Sequence, residues 1–424
     1  MSRKVILSFI LIVMLSGCAK PGLTDKEIGM ITAQSTDFVH GASSMSYISV
    51  SEAGVFYIED TGDGHLLSYY DYDADTHFAL CNAPECTHMD EECAAFFSLK
   101  SSIDGFAYYH DALYLLEKGL EDREYQLIQM SVNCENRTVL ATVPAEGEWS
   151  VAAIRDVYYC GGYAWIHAAY DRYDEGIGDF VVGEKLLAIS LSDGAVISLT
   201  DMLTAADHNL AYLAFQAISD SWVAWKIECY DKPLLSMDTF YEQNGTVDGY
   251  EDYVTQYYET TAMKTDFWAI SLKDMKPVQI PYPGDIIVDF YQGGCLGLII
   301  EGDVETVVRY DLETGEMEKL CSIQDGGSLA RYQGEVFNAL YEGEQLLFME
   351  RQPDGNAQVS SYSMADGSIT QLFQDVSTIS FRIVGETKDR LIGNVVPSTD
   401  YVWIWKEDYR KGNWSDGVPI LSRS

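Results

Sequence analysis

A four-strand pattern recurs about seven times along this chain after residue 45, at intervals of roughly 40–60 residues. Each copy has an apolar strand rich in Tyr, Trp, Leu or Ile, and a following strand that ends in a bend. Asp193-Gly194, Thr314-Gly315 and Asp366-Gly367 are such bends, because glycine supplies the positive φ that tight hairpins need. The pattern predicts an all-β fold, a single β-propeller of about seven four-stranded blades. Six or eight blades, and a β-sandwich, are the alternatives.

The first residues carry the pattern of an export signal. Arg3 and Lys4 precede the apolar run from Val5 to Leu15, which is too short to span a bilayer as a helix. The run closes with Leu15-Ser16-Gly17-Cys18, which resembles the lipobox of bacterial lipoproteins. That resemblance implies a lipid on Cys18 and a location on the outer side of a bacterial membrane. An ordinary secretory signal with an incidental cysteine is the alternative.

These observations divide the chain into three parts. Residues 1–17 are predicted to be a signal peptide, residues 18–42 the lipidated cysteine and a tether, and residues 43–424 the propeller. Because an unpaired sheet edge invites aggregation, we expect a strand within 32–39 to close the last blade. A short helix is expected within 201–213, and little helix elsewhere.

The chain is strongly acidic. Its formal net charge is −39, and removal of Arg3 and Lys4 with the signal makes this about −41 (−39 minus 2). Such a chain repels nucleic acid and anionic headgroups, which excludes nucleic-acid binding. The charge suits a basic partner, although an acidic surface also simply keeps an exported protein soluble.

Three cysteines and one histidine fall within thirteen residues, at Cys81, Cys86, His88 and Cys93. Three thiolates and an imidazole form a tetrahedral zinc set, so a structural zinc site is predicted. One disulfide with a free thiol is the alternative, because the chain is predicted to be exported. Either arrangement would hold the loop in one conformation. A zinc ion with four protein ligands would have no open coordination position for a catalytic water.

The residues from Met237 to Met263 form an insertion within the fourth repeat, expected to be an exposed, partly mobile surface loop. Aromatic rings beside carboxylates can hold a sugar face or a basic peptide. The insertion is therefore the predicted binding site, through its tyrosines at Tyr241, Tyr250, Tyr253, Tyr257 and Tyr258.

No nucleophile elbow, zinc-protease helix motif, P-loop or dinucleotide fingerprint occurs in the sequence, and His167 reads as a packed strand residue. The lipobox, the blades and the phrase from Leu80 to Cys93 resemble uncharacterised bacterial β-propeller lipoproteins, grouped with domains like the low-density-lipoprotein-receptor propeller. The resemblance implies a surface-tethered propeller and brings no catalytic residues. We therefore expect an envelope-anchored module that binds a protein, peptide or glycan. A hydrolase that uses carboxylates in the central channel, such as a carbohydrate-active enzyme, is the alternative.

Overall fold

A computed structural model of the chain describes residues 21–32, 38–41, 48–83, 85–175, 178–219, 221–235, 237–323, 328–329, 340–341, 343–351, 356–375, 381–395, 400–413 and 417–421. The chain divides into two compact units, residues 1–143 and 144–424.

The described part of the first unit contains one helix and two antiparallel sheets. The elements are α1 (Asp25–Thr32), β1 (Phe38–Gly41), β2 (Ile48–Val50), β3 (Gly54–Asp60), β4 (Gly64–Asp71), β5 (Thr76–Ala79), β6 (Phe96–Ser98), β7 (Ser101–Tyr109), β8 (Ala112–Gly119), β9 (Tyr125–Met130) and β10 (Thr138–Val143). The strand orders of the two sheets are β2-β3-β4-β5 and β7-β8-β9-β10, and β6 also pairs with β4.

The second unit contains five sheets of the same kind, and its described helices are α2 (Ala205–His208), α3 (Met237–Asn244), α4 (Tyr250–Thr260) and α5 (Lys406–Tyr409). Its strands are β11 (Ser150–Cys160), β12 (Tyr163–Asp174), β13 (Asp179–Ser190), β14 (Val196–Ser198), β15 (Leu203–Thr204), β16 (Leu210–Ile218), β17 (Trp222–Tyr230), β18 (Met263–Ser271), β19 (Pro277–Ile280), β20 (Ile286–Tyr291), β21 (Gly294–Glu301), β22 (Val304–Asp311), β23 (Met317–Ile323), β24 (Ser328–Leu329), β25 (Leu340–Tyr341), β26 (Gln345–Arg351), β27 (Ala357–Ser363), β28 (Ile369–Asp375), β29 (Phe381–Glu386), β30 (Arg390–Val395), β31 (Tyr401–Trp405) and β32 (Val418–Leu421).

The fold class is a β-propeller of seven four-stranded blades, as the repeat predicts. Each blade is an antiparallel meander, and most of its consecutive strands are joined by short bends, whereas the fourth blade has a long connection between β17 and β18. The predicted bends have the expected backbone, with φ of 72° at Gly194, 72° at Gly315 and 71° at Gly367. The predicted short helix is α2, which spans only four residues.

Consecutive blades pack through apolar side chains on their facing surfaces. In the second unit, Phe267 of β18 contacts Tyr282, whose ring contacts Tyr310 of β22, with centroids 5.2 and 5.8 Å apart. Full burial of such a side chain contributes about 1.5–3 kcal/mol. The backbone amide of Leu340 also donates to the buried Asp289 carboxylate at 2.9 Å, which ties the fifth blade to the sixth. Apolar packing and a polar contact therefore hold these neighbouring blades of the second unit together.

The seventh blade is formed by β29 to β32. Of the range predicted to close it, residues 33–37 lie outside the described residues, and Phe38 and Val39 lie in β1, which is not among the described strands of this sheet, so a closing strand stays a prediction for residues 33–37 alone. The signal peptide and Cys18 lie outside them as well. Among the described helices, none has the length and apolar character needed to cross a membrane.

Candidate metal centre

The four predicted metal ligands lie on a loop that interrupts the outer edge of the first blade. Residues 68–71 of β4 pair with β5, and residues 64–66 of the same strand pair with β6. The chain therefore leaves the edge of β4 after Ala79 and returns to that edge at Phe96. All four predicted ligands lie between these two points.

The loop brings the four side chains to one point. The Sγ atoms of Cys81, Cys86 and Cys93 and a ring nitrogen of His88 all lie within 4.8 Å of one another. His88 Nδ1 lies 3.4 Å from Cys93 Sγ, so this nitrogen faces the thiols. Cys81, His88 and Cys93 are buried and Cys86 is partly exposed. The four side chains are therefore close enough to hold a metal ion, and the metal itself stays a prediction.

Local turns produce this arrangement. The amide of Cys86 donates to the Ala83 carbonyl at 3.2 Å, and the amide of Cys93 donates to the Asp90 carbonyl at 3.0 Å. His88 has a φ of 59°, in the left-handed region that a non-glycine residue seldom adopts. Such a conformation persists only where the surroundings fix it, and it often marks a functional site.

Burial disfavours the charged forms of Cys81, His88 and Cys93. Desolvation raises the pKa of the Cys81 thiol, although a hydrogen bond from the Ala83 amide partly opposes it. Desolvation likewise raises the pKa of Cys93 far above its ordinary value and lowers the pKa of His88. A neutral imidazole is ready to bind a metal, whereas the thiols must each lose a proton to do so.

The donor set fits a metal ion. Three sulfur atoms and one nitrogen match a closed tetrahedral site, in which every position is taken by protein. All eight described cysteines, including these three, are free thiols. A disulfide between two of the cysteines would give His88 no role at the centre of the loop.

The segment before α1 lies against the same loop. Gly22 forms a parallel bridge with Ala79, whose amide donates to the Pro21 carbonyl at 3.0 Å. A Cβ on Gly22 would collide with the Cys81 carbonyl and lie 3.7 Å from His88 Nε2. The sequence predicts that residues 18–42 form a tether, whereas residues 21–32 of this range pack on the first two blades.

The insertion of the fourth blade has a different conformation from the one predicted. It connects β17 to β18, as expected, but it forms the helices α3 and α4 instead of an irregular loop. The rings of Tyr250 and Tyr253 lie 5.4 and 5.2 Å from Phe240, so the two helices share an aromatic core. The spacing of three and four residues between Tyr250, Tyr253 and Tyr257 is the helical signal that the loop interpretation missed.

The five predicted binding tyrosines fall into two groups. The hydroxyls of Tyr250 and Tyr257 donate to the carbonyls of Leu235 and Lys232, and the Tyr253 hydroxyl accepts from the Leu235 amide. These three therefore fix the insertion to the chain after β17. Tyr241 and Tyr258 remain 53% and 54% exposed and are the two with substantial free surface.

No family model matches the chain, and no curated protein matches it. Solved structures resemble it only at low identity. A puromycin-hydrolysing peptidase of Mycobacterium tuberculosis matches 86% of this chain at 9% identity with a TM-score of 0.47, and this chain spans 52% of that peptidase.

An oligogalacturonate lyase in complex with manganese matches 84% of this chain and 86% of its own, at 10% identity and a TM-score of 0.42. The β-propeller domain of the Trilobed protease from Pyrococcus furiosus matches 64% of this chain and 71% of its own, at 11% identity and a TM-score of 0.36. At these identities the likeness concerns the fold, and it assigns no activity to this chain. The resemblance to propeller lipoproteins stays a prediction.

Proposed function

We propose that this protein is an envelope-anchored β-propeller binding module, held to the membrane through Cys18, whose helical insertion contacts a basic protein or peptide. The observation that carries the proposal is the surface of the insertion. Two tyrosines with half their area exposed stand on α3 and α4, among carboxylates and on an internally packed support.

The charge of the insertion favours a basic partner over a neutral glycan. Residues 237–263 contain six acidic residues, at 238, 242, 248, 251, 252 and 259, and no Lys, Arg or His. Glu242, Glu251 and Asp252 are exposed. The cationic group of a lysine or arginine side chain can form an ion pair with a carboxylate. It can also lie over the face of a tyrosine ring, and both contacts are attractive.

The test compares two pairs of charge-neutralising substitutions. The variant Glu242→Gln/Asp252→Asn removes two carboxylates from the insertion, and Glu313→Gln/Glu316→Gln removes two exposed carboxylates from the bend between β22 and β23. Both change the net charge equally. Binding of a fluorescein-labelled oligolysine peptide, followed by anisotropy, should weaken roughly 2- to 10-fold in the first variant only.

A second comparison tests the rings. Tyr241→Ala/Tyr258→Ala should weaken the same peptide, whereas Tyr173→Ala should not, although Tyr173 is 55% exposed at the end of β12. Equal weakening by the two charge variants, with no effect of the tyrosines, would mean that the peptide senses net charge alone. Tighter binding of a neutral oligosaccharide than of the peptide would replace the basic partner with a glycan.

We also propose that the group of Cys81, Cys86, His88 and Cys93 binds one structural zinc ion. Zinc prefers thiolate and imidazole ligands in a tetrahedral set, and a closed site of this type contributes folding energy and not catalysis. Elemental analysis of protein purified without chelator should find close to one equivalent of zinc. Absence of metal together with two thiols that resist alkylation before reduction would favour the disulfide.

A further inference from the structure

The N-terminal segment, residues 21–32, packs against the first unit of the protein. Its helix α1 begins with a capping box, in which the Thr24 amide donates to Glu27 Oε2 at 2.6 Å and the Glu27 amide donates to Thr24 Oγ1 at 3.4 Å. Leu23 and Ile31 are 3% and 1% exposed. An eight-residue helix is too short to be stable alone, so packing on the blade must hold it.

The surface under this segment includes the metal ligands. Leu23 and Ile31 belong to one apolar cluster that also contains Cys81 and Cys93, and Cys86 packs against the cluster from its edge. At the far end of α1, the hydroxyl of the buried Tyr108, on β7 of the second blade, donates to the Ile31 carbonyl at 3.1 Å. The docked segment is therefore fixed at both ends, and its first end rests on the loop.

Gly22 is the residue of the N-terminal segment that lies closest to the ligands Cys81 and His88. Its Cα lies so near the Cys81 carbonyl that any Cβ would collide with backbone, and the same Cβ would stand beside Nε2 of His88. Because Nδ1 faces the thiols, Nε2 is the edge of the imidazole that faces the segment. Gly22 therefore lies against two of the four ligands: the backbone carbonyl of Cys81 and the imidazole ring of His88.

We infer that the N-terminal segment and the metal ion bind cooperatively, so that metal loading holds the segment more tightly against the first two blades. This inference rests on the proposed metal site. The metal fixes the positions of Cys81 and His88, and these form the surface on which Gly22 and Leu23 lie.

Linkage makes the inference quantitative. If metal strengthens docking by some factor, docking must strengthen metal binding by the same factor, since both are one coupling free energy. Couplings between sites typically correspond to roughly 5- to 150-fold. A variant that disturbs docking but keeps all four ligands must therefore bind zinc more weakly.

The experiment uses the full chain in detergent and the variants Gly22→Ala and Gly29→Ala. The second is a matched control, because a Cβ on Gly29 meets nothing within 4 Å and alanine favours its helix. Zinc affinity is measured by competition with a chromophoric chelator. Hydrogen exchange of residues 21–32 is measured in the wild-type chain with zinc and after chelation.

We expect zinc to slow exchange in residues 21–32 by roughly tenfold or more, and Gly22→Ala to lower zinc affinity by a comparable factor while Gly29→Ala leaves it unchanged. If wild-type protein binds zinc but exchange is the same with and without it, the coupling is wrong and the metal site stands. If Gly22→Ala and Gly29→Ala bind zinc with equal affinity, the coupling is likewise wrong and the metal site stands. If wild-type protein binds no zinc, the proposed site itself fails.

Discussion

Replacing His88 with alanine gives the sharpest test of the metal centre. The substitution removes one of four donors that lie within 4.8 Å of one another and leaves the three thiols in place. Structural zinc in peptides with such ligands binds with about 10–16 kcal/mol at pH 7. A quarter of that free energy, about 2.5–4 kcal/mol, corresponds to a loss of affinity of roughly 10²–10³-fold.

The assay is competition for zinc with a chromophoric chelator, with thermal unfolding measured in parallel. At a fixed free zinc concentration near 100 times the wild-type Kd, a hundredfold loss removes most of the roughly 2.7 kcal/mol that the metal adds to stability. His65→Ala is the control, since His65 lies on β4 of the same blade and outside the group. It should change neither zinc affinity nor the response of unfolding to zinc.

The same variant separates metal from disulfide. A loop stapled by a disulfide would unfold at nearly the same temperature with and without His88, and two thiols would react with an alkylating agent only after reduction. Either result, together with zinc affinity unchanged from wild type, would refute the argument that His88 is a ligand.

Three further outcomes follow from other parts of the molecule. Cys18→Ala should move the protein from the detergent phase to the aqueous phase or leave an unprocessed precursor, and unchanged partitioning would contradict the anchor. Gly54→Ala should cost about 1–3 kcal/mol in urea unfolding, because its Cβ would collide with the Tyr70 carbonyl across β3 and β4; a stability equal to wild type would show that the pair of strands can shift. Burial raises the pKa of Glu305, so the charged carboxylate destabilises the fold and Glu305→Gln should raise the unfolding midpoint at pH 7. That gain should disappear as the pH falls below the ordinary Glu pKa of 4.5, where wild type is protonated in both states, and a gain that persists in acid would exclude a charge effect.

The strands and bends of the blades can be predicted from the sequence alone. Period-two apolar strands and Asp-Gly or Thr-Gly bends are local signals, because a strand's burial pattern and a bend's φ depend on neighbouring residues. The positions of Gly194 and Gly315 therefore mark real bends. The candidate metal ligands can also be recognised from the sequence, since the four residues lie close together in the chain.

Other features depend on contacts between residues far apart in sequence. Nothing near Gly22 indicates that it lies against Ala79 and His88, because that contact exists only once the outer edge of the blade has formed. The inward positions of Tyr250 and Tyr257 likewise follow from carbonyls at Leu235 and Lys232 that accept their hydroxyls. The local sequence indicates which residues can form a chain bend or act as metal ligands. Tertiary packing determines which residues come into contact, since the free energy of such contacts arises only when the chain brings distant surfaces together.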